Sequence, residues 1–399
     1  MSDERQPQVA ASAIPDAQEM EVPPTTEDFV LELSPNSVLN ERYRIVEKLG
    51  AGQHSTVWLA KDTKADSPDT VYAIKVLNTI ATSLQGSIAH ELEVLQIIKE
   101  TAVRLPEATG AAHVLQLLDH FTVTYAHGSH LALVMPVLGH SLQELQGRFE
   151  DRMIHPNLVR DVIRQLLEAL VFLHDECKVV HTDIKQDNLM LNDYGGQDKP
   201  AMGTAFVLTD LSTAEPEHGE HKRLIQPEAL RCPEAAANLE WGTAADIWNV
   251  GCLVFELITG KILFPVQDLR NEDGAVAITR DQWRFAHFWA FVRRLEDTDE
   301  KLCAFFSRSD VGRALFGTDG KLSVNVDQHR SLEQILLNYE VEDPELADFL
   351  GCMLRLLPED RAPARELLKH AWLSIEDAME LKSEVEDGES VEAVAQKDP

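Results

Sequence analysis

Apolar residues are spaced differently in successive parts of the chain. Residues 1–36 are rich in Pro, Ala, Gln and acids, hold no sustained period, and are predicted to be disordered. From Tyr43 the pattern becomes strand-like. The stretches 43–49, 55–60 and 70–77 carry β-branched and aromatic residues, with turn residues between them. Ile88, Leu92, Leu95 and Ile98 then recur at helical spacing, which predicts a helix over 87–99. The stretches 114–123 and 130–137 return to strand composition. A long helix is predicted over 157–176, with Leu158, Val162, Leu166 and Leu170 on one face. One more strand is expected at 206–209, and helices with loops run from Thr243 to about Trp372. The acidic stretch from Ser374 starts helix-like and ends without a period. No internal repeat is present. A β-rich front holding one helix, then a helix-rich back, predicts an α+β chain of two lobes. We expect them at 37–136 and 137–373, joined near 136–139, between acidic tails at 1–36 and 374–399.

Composition narrows the classes. The chain has 399 residues, 44% of them hydrophobic, ordinary for a globular protein. No apolar run approaches the ~18 residues of a membrane span, and the charged first twenty residues hold no signal-peptide core. Five cysteines lie far apart with no C-x-x-C. This argues for a reducing compartment, cytoplasmic or nuclear, and against a zinc site. Net charge is −31, of which each tail supplies −7. That balance speaks against direct nucleic-acid binding and for basic partners, although solubility alone also explains it. No membrane association is expected, and the chain is read as a monomer.

Chemistry concentrates at 181–188, which reads H-T-D-I-K-Q-D-N. Phosphoryl transfer needs a carboxylate to orient a hydroxyl, a cation for the migrating group and an amide oxygen for magnesium. Asp183, Lys185 and Asn188 supply that set, with His181 as a packing residue. Upstream, Gly50 and Gly52 sit between two strand-like runs, where the missing Cβ lets a hairpin approach phosphates. An ordinary hairpin explains two glycines equally well. Lys75 lies in Y-A-I-K, an apolar strand, and requires a partner; Glu91 is the natural one. Asp210 follows a short apolar strand, where it can bind magnesium or simply make a turn. Glu234 and Arg361 are read as a buried ion pair, and Asp246 as an anchor beneath the 181–188 loop. Taken singly, each has a bland surface reading. Their order along the chain does not.

That order, from Gly50 to Arg361, resembles the protein-kinase fold over about residues 40–373. Within it the chain is most similar to SR-protein kinases in a short, fungal-type form. The resemblance rests on T-V-W-L-A after Ser55, on H-T-D-I-K with Thr182 in the usual arginine position, on Asp210-Leu211, and on Ile225-Gln226 before Ala229-Leu230-Arg231. It implies a bilobal fold, ATP and magnesium, and phosphorylation of serine in arginine/serine-rich or other basic proteins. By position, Asp183, Lys185, Lys75 and Glu91 would be catalytic. Gly50, Gly52, Ser55, Val57, Ala73, Met135, Val137, Leu138 and Met190 would meet the nucleotide, with Lys75. Asn188 and Asp210 would hold the metal. Ser212 departs from the pattern, standing where a glycine is usual. A Cβ at a position needing φ > 0 would weaken activity, which keeps a kinase-shaped binding module as the alternative. Thr182 cannot clamp a phosphate as arginine would, and 214–231 contains no Ser, Thr or Tyr. Activity without activation-loop phosphorylation is therefore expected. Glu215, Glu217, Glu220, Glu228, Asp268, Glu272 and Asp273 are expected to draw arginine-rich peptides, and His221, Lys222 and Arg223 to meet a phosphoserine.

Overall fold

The computed structural model describes residues 30–374, apart from 66, 68, 69, 126, 127, 150, 151, 197–202, 220, 222, 272, 275, 294–296, 318 and 324–329. The expectations for 1–29 and 375–399, and for Glu220, Lys222 and Glu272, lie outside the described residues.

Six strands form one antiparallel sheet: β1 (Val38–Leu39), β2 (Tyr43–Ala51), β3 (Ser55–Asp62), β4 (Val71–Leu77), β5 (Asp119–Tyr125) and β6 (Gly128–Met135). Their spatial order is β1-β2-β3-β4-β6-β5. Period-two alternation gives the sheet two apolar faces. Ile74, Val76, Ala132 and Val134 cluster on one, together with Leu31 and Leu33. These two leucines fall in the stretch assigned by composition to the acidic tail, yet they are buried and cover the sheet. Leu131 and Leu133 belong to the opposite core with Val94, Leu95 and Ile98.

The helices of this lobe are α1 (Thr79–Ser83) and α2 (Glu91–Arg104). Helix α2 starts four residues after the predicted 87. The backbone N–H groups of Ile88 and Ala89 both donate to Leu84 O, which turns the chain before α2 begins. Ile88 consequently lies 63% exposed, off the predicted apolar face. The stretch 114–123 also divides. Leu115 donates to Leu208 O at the lobe boundary, and only from Asp119 does the chain join the sheet.

The second lobe begins with α3 (Leu142–Gln146) and α4 (Pro156–Val171). All four predicted apolar positions of α4 are buried. A π-turn over Phe172–Cys177 ends at Lys178, φ 57°. Three short antiparallel pairs follow among the described residues. Strand β7 (Val179–Val180) pairs with β10 (Glu215–Pro216), β8 (Leu189–Leu191) with β9 (Phe206–Leu208), and β11 (Leu269–Arg270) with β12 (Val276–Ile278). Helices α5 (Pro233–Ala236) and α6 (Ala244–Thr259) lead to α7 (Arg280–Phe291) and α8 (Asp299–Phe306). The remainder is α9 (Asp310–Arg313), α10 (Leu332–Leu337), α11 (Pro344–Met353) and α12 (Ala364–Leu367). Helix α6 is buried on nearly all sides, as expected for the axis of a helical lobe. No helix among the described residues is long and apolar enough to cross a membrane.

Candidate active site

A cavity of about 810 Å³ opens between the lobes, within the size range of small-molecule sites. Strand register builds its upper wall. Gly50 pairs with Val57, Val57 with Lys75, and Ala73 with Met135. Gly50, Ser55, Val57, Ala73, Lys75, Glu91, Met135, Val137, Leu138, Met190 and Asp210 all line it. Gly52 does not; its N–H donates to Ser55 O at the hairpin tip. Space beside Gly50 is open, so the missing Cβ leaves room over the cavity. Leu115, Thr209, His140 and Glu144 also contribute to the lining. Nothing in their spacing marks them, because the interlobe crossing brings them in. Gly139 has a firmer reason: a Cβ there would come within 2.6 Å of Asp193 O.

At the cavity floor Lys75 Nζ lies 2.6 Å from Glu91 Oε1 and 3.3 Å from Asp210 Oδ1. Burial opposes the lysine charge, but Glu91 and Asp210 outweigh it and raise its pKa. Burial likewise pushes the Asp210 carboxyl up. Lys75 and the Ser212 hydroxyl overcome that, bringing it down to about 2. Glu91 is the first residue of α2, so the ion pair ties the start of that helix to β4. Asp210 has φ 56°, in the left-handed region that an aspartate tolerates. Ser212 is not among the positive-φ residues. The backbone demand expected at Ser212 therefore falls two residues earlier, and the binding-module alternative loses its support.

The 181–188 loop is held by its own residues. Lys185 Nζ donates to Asp183 Oδ2 at 2.8 Å. Asn188 Nδ2 donates to Asp183 O at 2.8 Å and to Oδ2 at 3.0 Å. With the Asn188 nitrogen spent on Asp183, its amide oxygen is left as an acceptor. That oxygen and the Asp210 carboxylate are hard donors suited to magnesium, which takes few protein ligands and keeps phosphate oxygens and waters. Among the described residues no group of three or more His, Cys, Asp or Glu forms an all-protein metal cage. His181 is fully buried. Its Nδ1 accepts from Asp183 N, and its Nε2 meets Thr209 O at 2.9 Å.

Beneath the loop, Asp246 on α6 accepts three bonds. Its Oδ2 takes His174 Nε2 and His181 N, and its Oδ1 takes Thr182 N, each at 2.8 Å. Thr182 needs this support. It is β-branched with φ 70°, a conformation that costs on the order of 1–3 kcal/mol and survives only when its surroundings over-determine it. Farther down, Arg361 Nη1 and Nη2 donate to Glu234 Oε1 and Oε2, both at 2.7 Å, in a fully buried bidentate pair. Its guanidinium also lies over the Trp248 ring.

Three of the acids expected to attract arginine, Glu215, Glu228 and Asp268, have cationic partners within the chain. Glu215 is paired with His221 and Arg223. Glu228 meets Arg280 and Arg284, and Asp268 meets Arg280. A buried or ringed carboxylate finds its cation within the chain before a substrate arrives. Of the residues expected to meet a phosphoserine, His221 and Arg223 pair with Glu215.

A bilobed molecule with a strand-walled cavity, a Lys–Glu–Asp ion cluster and an Asp–Lys–Asn loop defines a phosphotransferase of the protein-kinase class. Sequence comparison agrees: the Protein kinase domain family matches residues 43–373, and the chain belongs to that family. It is a serine/threonine protein kinase related to the SRPK kinases. The serine/threonine-protein kinase SRPK of Physarum polycephalum is 27% identical over 390 residues, covering 84% of this chain and 87% of the relative. A serine/threonine protein kinase of Aspergillus fumigatus is 28% identical over 362 residues, covering 84% and 85%. The spk-1 kinase of Caenorhabditis briggsae is 39% identical over 154 residues, which are 39% of this chain and 13% of that protein. A crystallised kinase domain superposes with a TM-score of 0.67 at 21% identity, over 87% of this chain and all of the other; that likeness concerns the fold.

Proposed function

We propose that the chain transfers the γ-phosphate of ATP, bound with magnesium, to serine hydroxyls of arginine/serine-rich or other basic proteins, without prior phosphorylation of its activation segment. One observation carries the reading: the loop in which Lys185 and Asn188 bond Asp183 is joined to the Lys75–Glu91–Asp210 cluster through Thr209, the neighbour of Asp210, whose N–H donates to Asn188 O and whose O meets His181 Nε2. Asp183 would accept the hydroxyl proton, and Lys75 would orient the phosphates. Lys185 would shift from Asp183 to the migrating group. Magnesium, held by Asp210 and Asn188, would neutralise charge between the phosphates. The SRPK names among the relatives favour arginine/serine-rich substrates. With Glu215, Glu228 and Asp268 internally paired, attraction of basic proteins would rest on the other acids named and on the field of the whole chain, net −31. The absence of any hydroxyl over 214–231 supports independence from a phosphate there.

The test is to incubate the purified, phosphatase-treated chain with ATP and magnesium. One arm contains an Arg-Ser repeat peptide, the other a basic peptide without Arg-Ser. Preferential labelling of the first is expected. Equal labelling would remove the arginine/serine preference, and none on either would remove the kinase reading. Action as a monomer in the reducing cytoplasm or nucleus fits five cysteines that are all free. Recovery from a secretory compartment with oxidised cysteines would contradict that placement.

A further inference from the structure

Tyr194 lines the interlobe cavity but has no part in the transfer chemistry. Its place follows from the backbone around it. Strand β8 and the interlobe crossing form a short ladder. Gly139 N donates to Leu191 O at 2.8 Å, and Leu191 N donates to His140 O at 2.9 Å. The chain leaves this ladder at Asn192 and turns at once. Gly196 N donates to Asp193 O at 3.3 Å, which closes a tight turn with Tyr194 and Gly195 in its centre. Gly195 has φ 77°, whereas Tyr194 is not left-handed. That combination is a type II turn, whose third position favours glycine. The turn presses on the crossing, since Asp193 O is the atom that leaves no room for a Cβ at Gly139.

Among the described residues, Tyr194 is the one Phe, Tyr or Trp in the cavity lining. It is 46% exposed, and no hydrogen bond or ring contact within the described residues holds it. A large ring left this way has apolar area to bury against whatever fills the cavity. The strand register says which part of a nucleotide that is. Along β6, Leu133 faces Lys75 and Met135 faces Ala73, so the chain runs from the phosphate-binding lysine toward the crossing. Phosphates at Lys75 and Asp210 therefore leave the nucleoside at the crossing, beside the turn that carries Tyr194.

We propose that Tyr194 is a nucleotide-binding residue whose ring closes on the outward edge of the nucleoside of ATP. This inference rests on the kinase reading above and adds a contact to the same site. The contact is apolar, so the tyrosine hydroxyl is dispensable to it.

The experiment measures binding by calorimetry on the full chain, comparing wild type, Tyr194→Ala and Tyr194→Phe. The probes are adenosine, ATP with magnesium, and tripolyphosphate with magnesium. Tyr194→Ala should weaken adenosine and ATP by the same factor, about tenfold, through the ring area no longer buried. Tripolyphosphate affinity should stay within about twofold, because that ligand reaches only the Lys75–Asp210 end. Tyr194→Phe should bind all three probes as the wild type does. In turnover, Tyr194→Ala should raise KM for ATP about tenfold with kcat within about twofold, the mark of a contact made equally in ground and transition states. Unchanged adenosine affinity in Tyr194→Ala would overturn the proposal. So would an equal loss for tripolyphosphate, which signals a collapsed cavity, or a loss in Tyr194→Phe as large as in Tyr194→Ala. A wild-type chain that binds no adenosine overturns it as well. If the wild type binds adenosine but labels no peptide, the kinase reading fails, and the calorimetric comparison still decides the role of Tyr194.

Discussion

Asp183 carries the largest burden of any single residue. Lys185 and Asn188 hold its carboxylate, yet neither can replace it as proton acceptor. Asp183→Asn should lower kcat by roughly 10²–10⁴-fold, the usual worth of general-base catalysis. Affinity for a fluorescent ATP analogue should stay within a factor of two or so, since Asp183 does not line the cavity. Lys75 makes a different prediction. Asp210 is held down to about 2 against its own burial, with Lys75 the largest lowering influence. A depressed carboxyl contributes stability that is present above its unfolded pKa of 3.8 and lost as pH falls toward 2. Wild-type Asp210 is therefore ionised across any working pH. Lys75→Met leaves burial acting with little opposition, so the Asp210 pKa should rise. Carboxyl NMR titration would show that rise, and an unmoved value would contradict the cluster described here.

At the scale of elements, periodicity located β2 to β6, β9, α2 and α4, passed over the short strands β1, β7, β8, β10, β11 and β12, and failed where chain turns outweighed it. Ile88 fits a helical stripe with Leu92 and Leu95, but two bonds to Leu84 O hold it outside α2. Leu31 and Leu33 sit in an acidic, Pro-containing stretch, where two apolar residues make no period; only the exposed face of a sheet tells that they are needed. Ser212 could be read as a misfit from its place in a motif. Only the backbone shows that the left-handed residue is Asp210. Helix α6 holds a further prediction. Burial raises the Glu256 carboxyl above its ordinary 4.5, and a hydrogen bond from Gln186 only partly offsets this. A raised carboxyl favours the fold while protonated, so stability falls as pH climbs through the interval between the ordinary and the raised value. Glu256→Gln removes a charge that is costly at neutral pH. It should raise Tm by roughly 1–3 °C at pH 7.5 and have little effect near pH 4. Calorimetry at the two pH values distinguishes this from a general packing change.

For the whole molecule, the two-lobed α+β plan could be read from the switch between period-two and helical spacing. The pairing of distant charges could not. Glu234 and Arg361 are 127 positions apart, and motif order suggested that they meet; full burial and bidentate geometry come only from packing. Arg361→Ala leaves Glu234 charged and alone inside the helical lobe. It should cost about 3–5 kcal/mol of stability, seen as a lowered urea midpoint. The acidic residues show the same limit: composition counts charges without their partners, and Glu215, Glu228 and Asp268 are paired with Arg223, Arg280 and Arg284.

The three bonds to Asp246 have a consequence for engineering. The loop of Asp183, the proposed proton acceptor, hangs from an aspartate in the axis of the helical lobe, whereas the wall proposed to face the purine belongs to strands of the other lobe. Selectivity for the co-substrate and competence for chemistry therefore reside in separately mutable bodies. Met135, 6% exposed and paired with Ala73 at the inner wall, is the position to carve. Met135→Gly should admit an ATP analogue with a bulky purine substituent that the wild type rejects, while the pH–rate profile keeps its shape. A profile altered along with the nucleotide preference would show that the two bodies are not separable.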